Sequence, residues 1–433
     1  MFAERREEFC ARMGPGAIAV VRGHDLVRRS NDTEYPFRQD SDFWYLTGFD
    51  HPHATAVLRT TGKGPQFTLF VEPRDKAAET WTGYRPGVEG AIADYEADEA
   101  FESSQLPDAL RGFLEEADRL YYTFGRSPDL DQRLTQAQEE LRVQSRRGVQ
   151  PVESILDPRT ILHEMRLIKS PAELEIMRQA ADISREAHHE AASMLRPGQP
   201  EYEIEARLNY VFRRRGGSGA AYGSIVAGGS RATVLHYVRN DQIFEDSDLV
   251  LIDAGAELQG YASDVTRTYP VNGRFEGPGR SVYEVVLAAQ KVAIQNARPG
   301  SNLAVIHAAT LRELVKGMVD LGLLEGDVDQ LIGSEAFRPY YMHGTSHWLG
   351  LDVHDAGSYM EGDQPRPLEE GMVFTIEPGL YIAPDDPHAP ESLRGIGVRI
   401  EDNIAITKSG SENLTADIPK EIEDIESWVQ EGH

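Results

Sequence analysis

Four acidic residues occupy strand-like text, three of them in runs that are otherwise apolar. Asp253 ends the run Val250-Leu251-Ile252-Asp253, Glu377 ends Phe374-Thr375-Ile376-Glu377, and Glu401 follows Val398-Arg399-Ile400. Asp264 lies in the strand-like stretch YASDVTRT. An isolated acid on a strand is usually solvated, but here an isoleucine directly precedes three of the four. Asp253 and Asp264 flank AGAELQGYAS, and a simple hairpin centred on Leu258-Gln259 sets them directly opposite each other. Their Cβ atoms would then be about 4.5–5.5 Å apart. Two half-buried carboxylates at that range repel, so one must hold a proton or a cation must lie between them. Glu377 and Glu401 pose the same problem again.

His343, His347 and His354 fall within HGTSHWLGLDVHD. On a helix His343 and His347 would share a face, as in zinc peptidases. The Gly-Thr-Ser interior and Gly350 argue against a helix, and no HExxH is present. Alone, the three histidines fit hydrogen-bonded core residues; beside four paired acids they point to a metal centre. A donor set of four carboxylates and one imidazole is mostly oxygen, which suits Mn(II) better than structural zinc.

The elements that hold these residues look duplicated. A helix ending in Arg196-Pro197-Gly198 leads into another helix, and a second ending in Arg298-Pro299-Gly300 does the same. Each pair is followed by strands in which a carboxylate precedes a small residue or Pro and then Gly (Asp253-Ala254-Gly255; Glu377-Pro378-Gly379), and then by a second acid. The shared order predicts two related αβ half-domains. Ahead of them, Ser170, Pro171 and Glu173 form a capping-box signature, with apolar residues recurring at helical spacing from Ile176 to Met194. His188 and His189 lie in this helix outside any ligand cluster and read as solvated surface residues.

The first third alternates strand-like and helix-like text: strands at 43–46, 67–71 and 120–124, helices at 106–120 and 131–146. A small α/β domain over residues 1–168 is expected, with the catalytic domain over 169–433. This part offers no ligand cluster; His51 and His53, flanking Pro52, read as loop residues.

With 433 residues, two or three domains are expected. No apolar run approaches the roughly 18 residues of a membrane span. The charged MFAERREEFC does not read as a secretory signal. A formal charge of -27 with no basic block disfavours nucleic acid and suits a cation, although acidity also serves solubility. Cys10 is the sole cysteine, which excludes an intrachain disulfide and fits a cytoplasmic location.

Together these segments resemble the aminopeptidase P branch of the creatinase/methionine aminopeptidase superfamily. MRLIKSPAELEIMRQAADIS, LHYVRND, LIDAGAELQGYASDVTRTYPV, HGTSHWLGLDVHD, TIEPGLYI and GVRIEDN follow in that family's order, and QDSDFWYLTGFDHPHA is similar to its N-terminal domain. The resemblance implies an α/β (α+β) chain whose catalytic domain has the pita-bread fold. It implies two divalent ions, most simply Mn(II), held by Asp253, Asp264, His347, Glu377 and Glu401, with Asp264 and Glu401 bridging. The implied reaction removes the N-terminal residue of a peptide ahead of proline. A hydroxide between the ions attacks, and Glu377 shuttles the proton. His236 and His354 would hydrogen-bond the carbonyl or oxyanion, and His343 would line the proline pocket. Arg399 would orient Glu401, and Trp81 and Tyr381 would wall the pocket. Peptides with a free N-terminus and penultimate proline are the expected partners, and a homo-oligomer the expected assembly. A proline dipeptidase would share all five ligands. A creatinase-like hydrolase lacks the metal set, and a non-catalytic relative of the fold would be expected to lose ligands.

Overall fold

The computed structural model describes residues 1–62 and 66–432, and the chain divides into two compact units between Arg166 and Leu167. The first is built on a six-stranded mixed sheet. Its strands run, from edge to edge, Glu99–Glu102, Gln66–Val71, Thr55–Arg59, Ala17–Arg22, Arg119–Tyr121 and Ser154–Leu156. The two central strands are antiparallel to each other, while the outermost pairs are parallel. Leu106–Glu115 and Pro128–Val143 are helices whose Leu110, Leu114, Leu134 and Leu141 pack on Ile18, Val20, Val57 and Phe70 of the sheet. The expected strand at 43–46 is instead a helix, Ser41–Thr47. Short apolar runs do not distinguish the two by periodicity, and here the flanks decide. Asp40 caps the first turn by accepting from the Phe43 amide at 2.9 Å, and Gly48 closes the last in the left-handed conformation.

The second unit opens with the helix Pro171–Met194 and the capping box expected of it. Ser170 Oγ accepts from the Glu173 amide at 3.4 Å, and Glu173 Oε2 accepts from the Ser170 amide at 2.9 Å. His188, expected at the surface, is fully buried on this helix, between the Tyr269 hydroxyl and the Ala254 carbonyl. Its neighbour His189 is exposed and meets Glu431.

Two αβ halves follow. In the first, helices Pro171–Met194 and Glu201–Arg214 precede an antiparallel sheet of Ile225–Gly228, Leu249–Asp253 and Thr266–Pro270. In the second, Gly277–Asn296 and Leu303–Asp320 precede Val373–Ile376, Asp402–Thr407 and Gly410–Asn413, with the pair Gly379–Tyr381 and Gly397–Arg399 continuing the ladder. The duplicated arrangement is the pita-bread fold. Its main core joins Ile252 and Tyr269 of one half to Val286, Leu314, Leu380 and Ile400 of the other.

The hairpin between Asp253 and Asp264 is shifted from the simple register. Leu258 pairs with Tyr261, so the turn is Gln259-Gly260, and Asp253 faces Thr266 rather than Asp264. A two-residue hairpin turn of the mirror-image type needs positive φ at both central positions. Gln259 (φ 49) and Gly260 (φ 82) meet that demand. In this register Asp264 falls opposite Gly255, where an added Cβ would run into the Ser263 carbonyl, so only glycine fits.

Candidate active site

Each acid sits where a strand ends. Asp253 is the last residue of its strand, and Asp264 lies just before Thr266–Pro270. The pairs Ile376↔Asp402 and Gly379↔Arg399 bracket Glu377 and Glu401, which therefore lie opposite each other in the second ladder. Asp253 and Asp264 are instead one diagonal step apart, on the same face of theirs. The histidine segment is irregular, as its glycines predict. It is held as an added edge to the second sheet: the Thr375 amide donates to the His347 carbonyl (2.9 Å), the Glu377 amide to the Thr345 carbonyl (2.8 Å), and Trp348 bridges Phe374. That pairing sets His347 beside Glu377.

These residues converge on one cavity of about 500 Å³, lined by Asp253, Asp264, His347, Glu377, Glu401 and Arg399, with His236, His343 and His354 around them. His347 Nε2 lies 3.4 Å from Asp264 Oδ2 and 3.6 Å from Glu377 Oε1. One donor atom from each of Asp264, His347 and Glu401 falls within 4.8 Å of the others. His347 Nδ1 donates to the Trp348 carbonyl at 3.0 Å, which leaves Nε2 as the ring's lone-pair nitrogen facing the acids.

The electrostatics show what the site lacks. Burial, reinforced by the neighbouring acids, raises the pKa of Glu401 well above its ordinary value and also raises that of Asp253. Glu377 is pushed up to about 7 by burial and by Asp264 and Asp253, against the pull of His347 and Arg399. For His347, burial alone would lower the pKa, but Asp264 and Glu377 lift it to about 9. Carboxylates resisting ionisation around an imidazole drawn toward its cation are a donor set short of positive charge. Divalent cations fit it.

A second layer holds these groups. Arg399 was expected to orient Glu401, but its guanidinium Nη2 donates to Asp253 Oδ2 at 2.6 Å. Its Nε reaches Thr266 Oγ1 (3.1 Å), and the Thr266 hydroxyl donates to Glu401 Oε2 (2.7 Å), so Arg399 touches Glu401 only through Thr266. Arg399 Nη1 donates to the Tyr381 hydroxyl (3.1 Å), which in turn meets His343 Nε2 (2.8 Å). Tyr381 is thus buried behind His343 and Arg399. Burial, with Arg399 adding to it, pushes His343 down to about 4, so its ring is neutral. His236 and His354 are both exposed at the cavity, and the His354 ring stands 4.4 Å from that of His347 at 80°. Trp81 belongs to the first unit, on the helix Lys76–Thr82, and is 88% exposed.

Three residues here carried no sequence signal. The Tyr222 hydroxyl donates to Asp253 Oδ1 at 2.6 Å. Thr266 links Arg399 to Glu401. Asn403 straps Asp264, its Oδ1 accepting from the Asp264 amide at 3.1 Å while its Nδ2 donates to the Asp264 carbonyl. Asn403 follows Glu401 by two residues in GVRIEDN, where its type alone marks nothing.

Residues 175–408 match the model of metallopeptidase family M24, and residues 2–121 match that of the aminopeptidase P N-terminal domain. The chain is 44% identical to the Xaa-Pro aminopeptidase of Escherichia coli, over 99% of this chain and 97% of that one. It is 46% identical to the Haemophilus influenzae Xaa-Pro aminopeptidase, over 99% and 96%. Its structure superposes on that of the Pseudomonas aeruginosa aminopeptidase PepP with a TM-score of 0.96 at 46% identity, covering 100% of this chain and 98% of that one. A zinc-substituted E. coli aminopeptidase P in complex with product also gives 0.96, at 43% identity and the same coverage. The chain belongs to metallopeptidase family M24, in its aminopeptidase P branch.

Proposed function

We propose that this protein is an Xaa-Pro aminopeptidase, which hydrolyses the bond before a penultimate proline and releases the N-terminal residue. The observation that carries the reading is the convergence of Asp253, Asp264, His347, Glu377 and Glu401 on one cavity. Its agreement with full-length relatives named for that activity supports it.

In this reading Asp253, Asp264, His347, Glu377 and Glu401 would hold two divalent ions. Manganese is the proposed metal because oxygen donors dominate. When bound, the ions supply Lewis acidity and lower the pKa of water toward neutrality. Glu377 takes a proton from the attacking water and delivers it to the leaving proline nitrogen. Its position beside His347 and its readiness to hold a proton near neutral pH suit that role. His236 and His354, exposed at the cavity, donate hydrogen bonds to the scissile carbonyl as charge develops on oxygen. His343, neutral and braced by Tyr381, forms one side of the proline pocket. Arg399 and Tyr222 hold the two Asp253 oxygens, which would orient that ligand toward the cavity.

Among the described residues lining the cavity, Arg399 is the only Arg or Lys, and all three of its nitrogens are engaged. A dipeptidase needs a cation for the carboxylate after proline. That favours the aminopeptidase over a proline dipeptidase.

A homo-oligomer and a cytoplasmic location belong to the same proposal. The first is supported by Val27, Tyr35, Trp81 and Tyr84, which are exposed on the first unit. The second is supported by the single cysteine. Among the described residues no helix is long and apolar enough to cross a membrane.

Exhaustive chelation should abolish hydrolysis of an Xaa-Pro-Yaa peptide, and Mn(II) should restore it with near two ions per chain. Full activity in metal-free protein would overturn the proposal.

A further inference from the structure

Lys169 and Asp355 form an ion pair inside the second unit, Nζ to Oδ2 at 2.9 Å, with both side chains 1% exposed. Such a pair is a poor stabilising device, because removing both charges from water offsets most of their attraction. Its setting points elsewhere. Asp355 directly follows His354, and its amide donates at 2.8 Å to the Trp348 carbonyl, the acceptor that also takes the His347 Nδ1 proton. The Asp352 amide turns toward Asp355 Oδ1. Asp355 therefore closes the loop from Trp348 to His354 upon itself. The space for this closure is reserved, because a Cβ at Gly350 would collide with Asp355 Oδ2 and press on Lys169 Cε. Lys169 is anchored independently of the loop. Its amide donates to the Gly371 carbonyl at 2.8 Å, Ile168 bridges Met372, and an added Cβ at Gly371 would meet the Lys169 carbonyl. A cation fixed to the sheet edge thus grips the residue next to His354.

We infer that Lys169, through Asp355, is a positioning residue that sets the His354 ring at the cavity. The inference rests on the proposed role of His354 as a donor to the developing oxyanion. It assigns Lys169 an effect on kcat that is exerted through His354 and through no other group.

The test is a double-mutant cycle on the full, Mn-loaded chain, with kcat, KM, metal content and thermal midpoint measured on Gly-Pro-Ala. Lys169→Met should keep its metal and KM and lose roughly 10–100-fold in kcat, the usual range for a residue supporting an active group. In a His354→Ala background the same substitution should change kcat little. If Lys169→Met does not fold, Lys169→Met with Asp355→Asn leaves no buried unpaired charge and should show the same non-additivity. The inference is overturned if either variant keeps wild-type kcat, loses metal, or lowers kcat by an equal factor with and without His354. A His354→Ala enzyme with wild-type kcat would instead refute the role of His354 itself, and this inference with it.

Discussion

Asp253, Glu377 and Glu401 stand where the ladders end or change partners, so their side chains can turn into a cavity while their backbones remain held by the sheet. Donors and neighbours therefore fall into separable roles. Asp264→Ala removes a proposed metal donor, and both metal content and activity should collapse. His354→Ala should keep its metal and lose roughly 10²–10³ in kcat, as expected for one oxyanion donor. Metal analysis of both variants beside turnover checks this; an empty His354→Ala and a fully loaded Asp264→Ala would reverse the assignment. The acids were legible in the sequence because charge within an apolar run has few explanations. The partner of Arg399 was not, because its contact with Asp253 spans 146 positions. Two positions of strand spacing suggested Glu401, whereas the antiparallel ladder carries Arg399 to the first half-domain. Tyr222, Thr266 and Asn403 were invisible for a related reason. A polar residue that supports a ligand has no spacing rule of its own.

Elements were legible where a cap or a long period fixed them, as in Pro171–Met194. They were not where turn chemistry ruled: Asp40 and Gly48 made 41–47 a helix, and Gly260 moved the hairpin register by two residues. His188 shows the limit of reading one helix by itself. Nothing nearby in sequence marks it, yet it lies against the carbonyl of Ala254, next to Asp253. Burial pushes its pKa down to about 4 from an unfolded value of 6.5. The folded state then refuses a proton that the unfolded chain accepts, so this contribution is intact above pH 6.5 and is lost as pH falls toward 4. Between pH 7 and pH 5 the loss should be about 2 kcal/mol, from roughly 1.4 kcal/mol per pH unit below 6.5. Urea unfolding under chelation should show that slope in the wild type and a flatter one in His188→Gln, which should also be less stable at pH 7. Equal slopes in the two proteins would remove His188 from the account.

At the scale of the whole molecule, the first unit holds no metal cluster among its described residues but exposes apolar side chains, with Trp81 foremost. Its proposed work is to shape the substrate cleft within an oligomer. Light scattering should report more than a monomer, and Trp81→Ala should lower kcat/KM. A strictly monomeric protein with a fully active Trp81→Ala variant would remove this part. The carboxylate-rich cavity decides which peptide is accepted. Among the described residues lining the cavity, four acids and no Arg or Lys except the engaged Arg399 favour the ammonium of a peptide N-terminus over a carboxylate placed directly after proline. The most direct measurement is kcat/KM for Gly-Pro, Gly-Pro-Ala and acetyl-Gly-Pro-Ala at identical metal loading. Gly-Pro-Ala should be cleaved at least as well as Gly-Pro, and the acetylated peptide hardly at all. Turnover of Gly-Pro with none of Gly-Pro-Ala would contradict the aminopeptidase reading and establish a dipeptidase in its place.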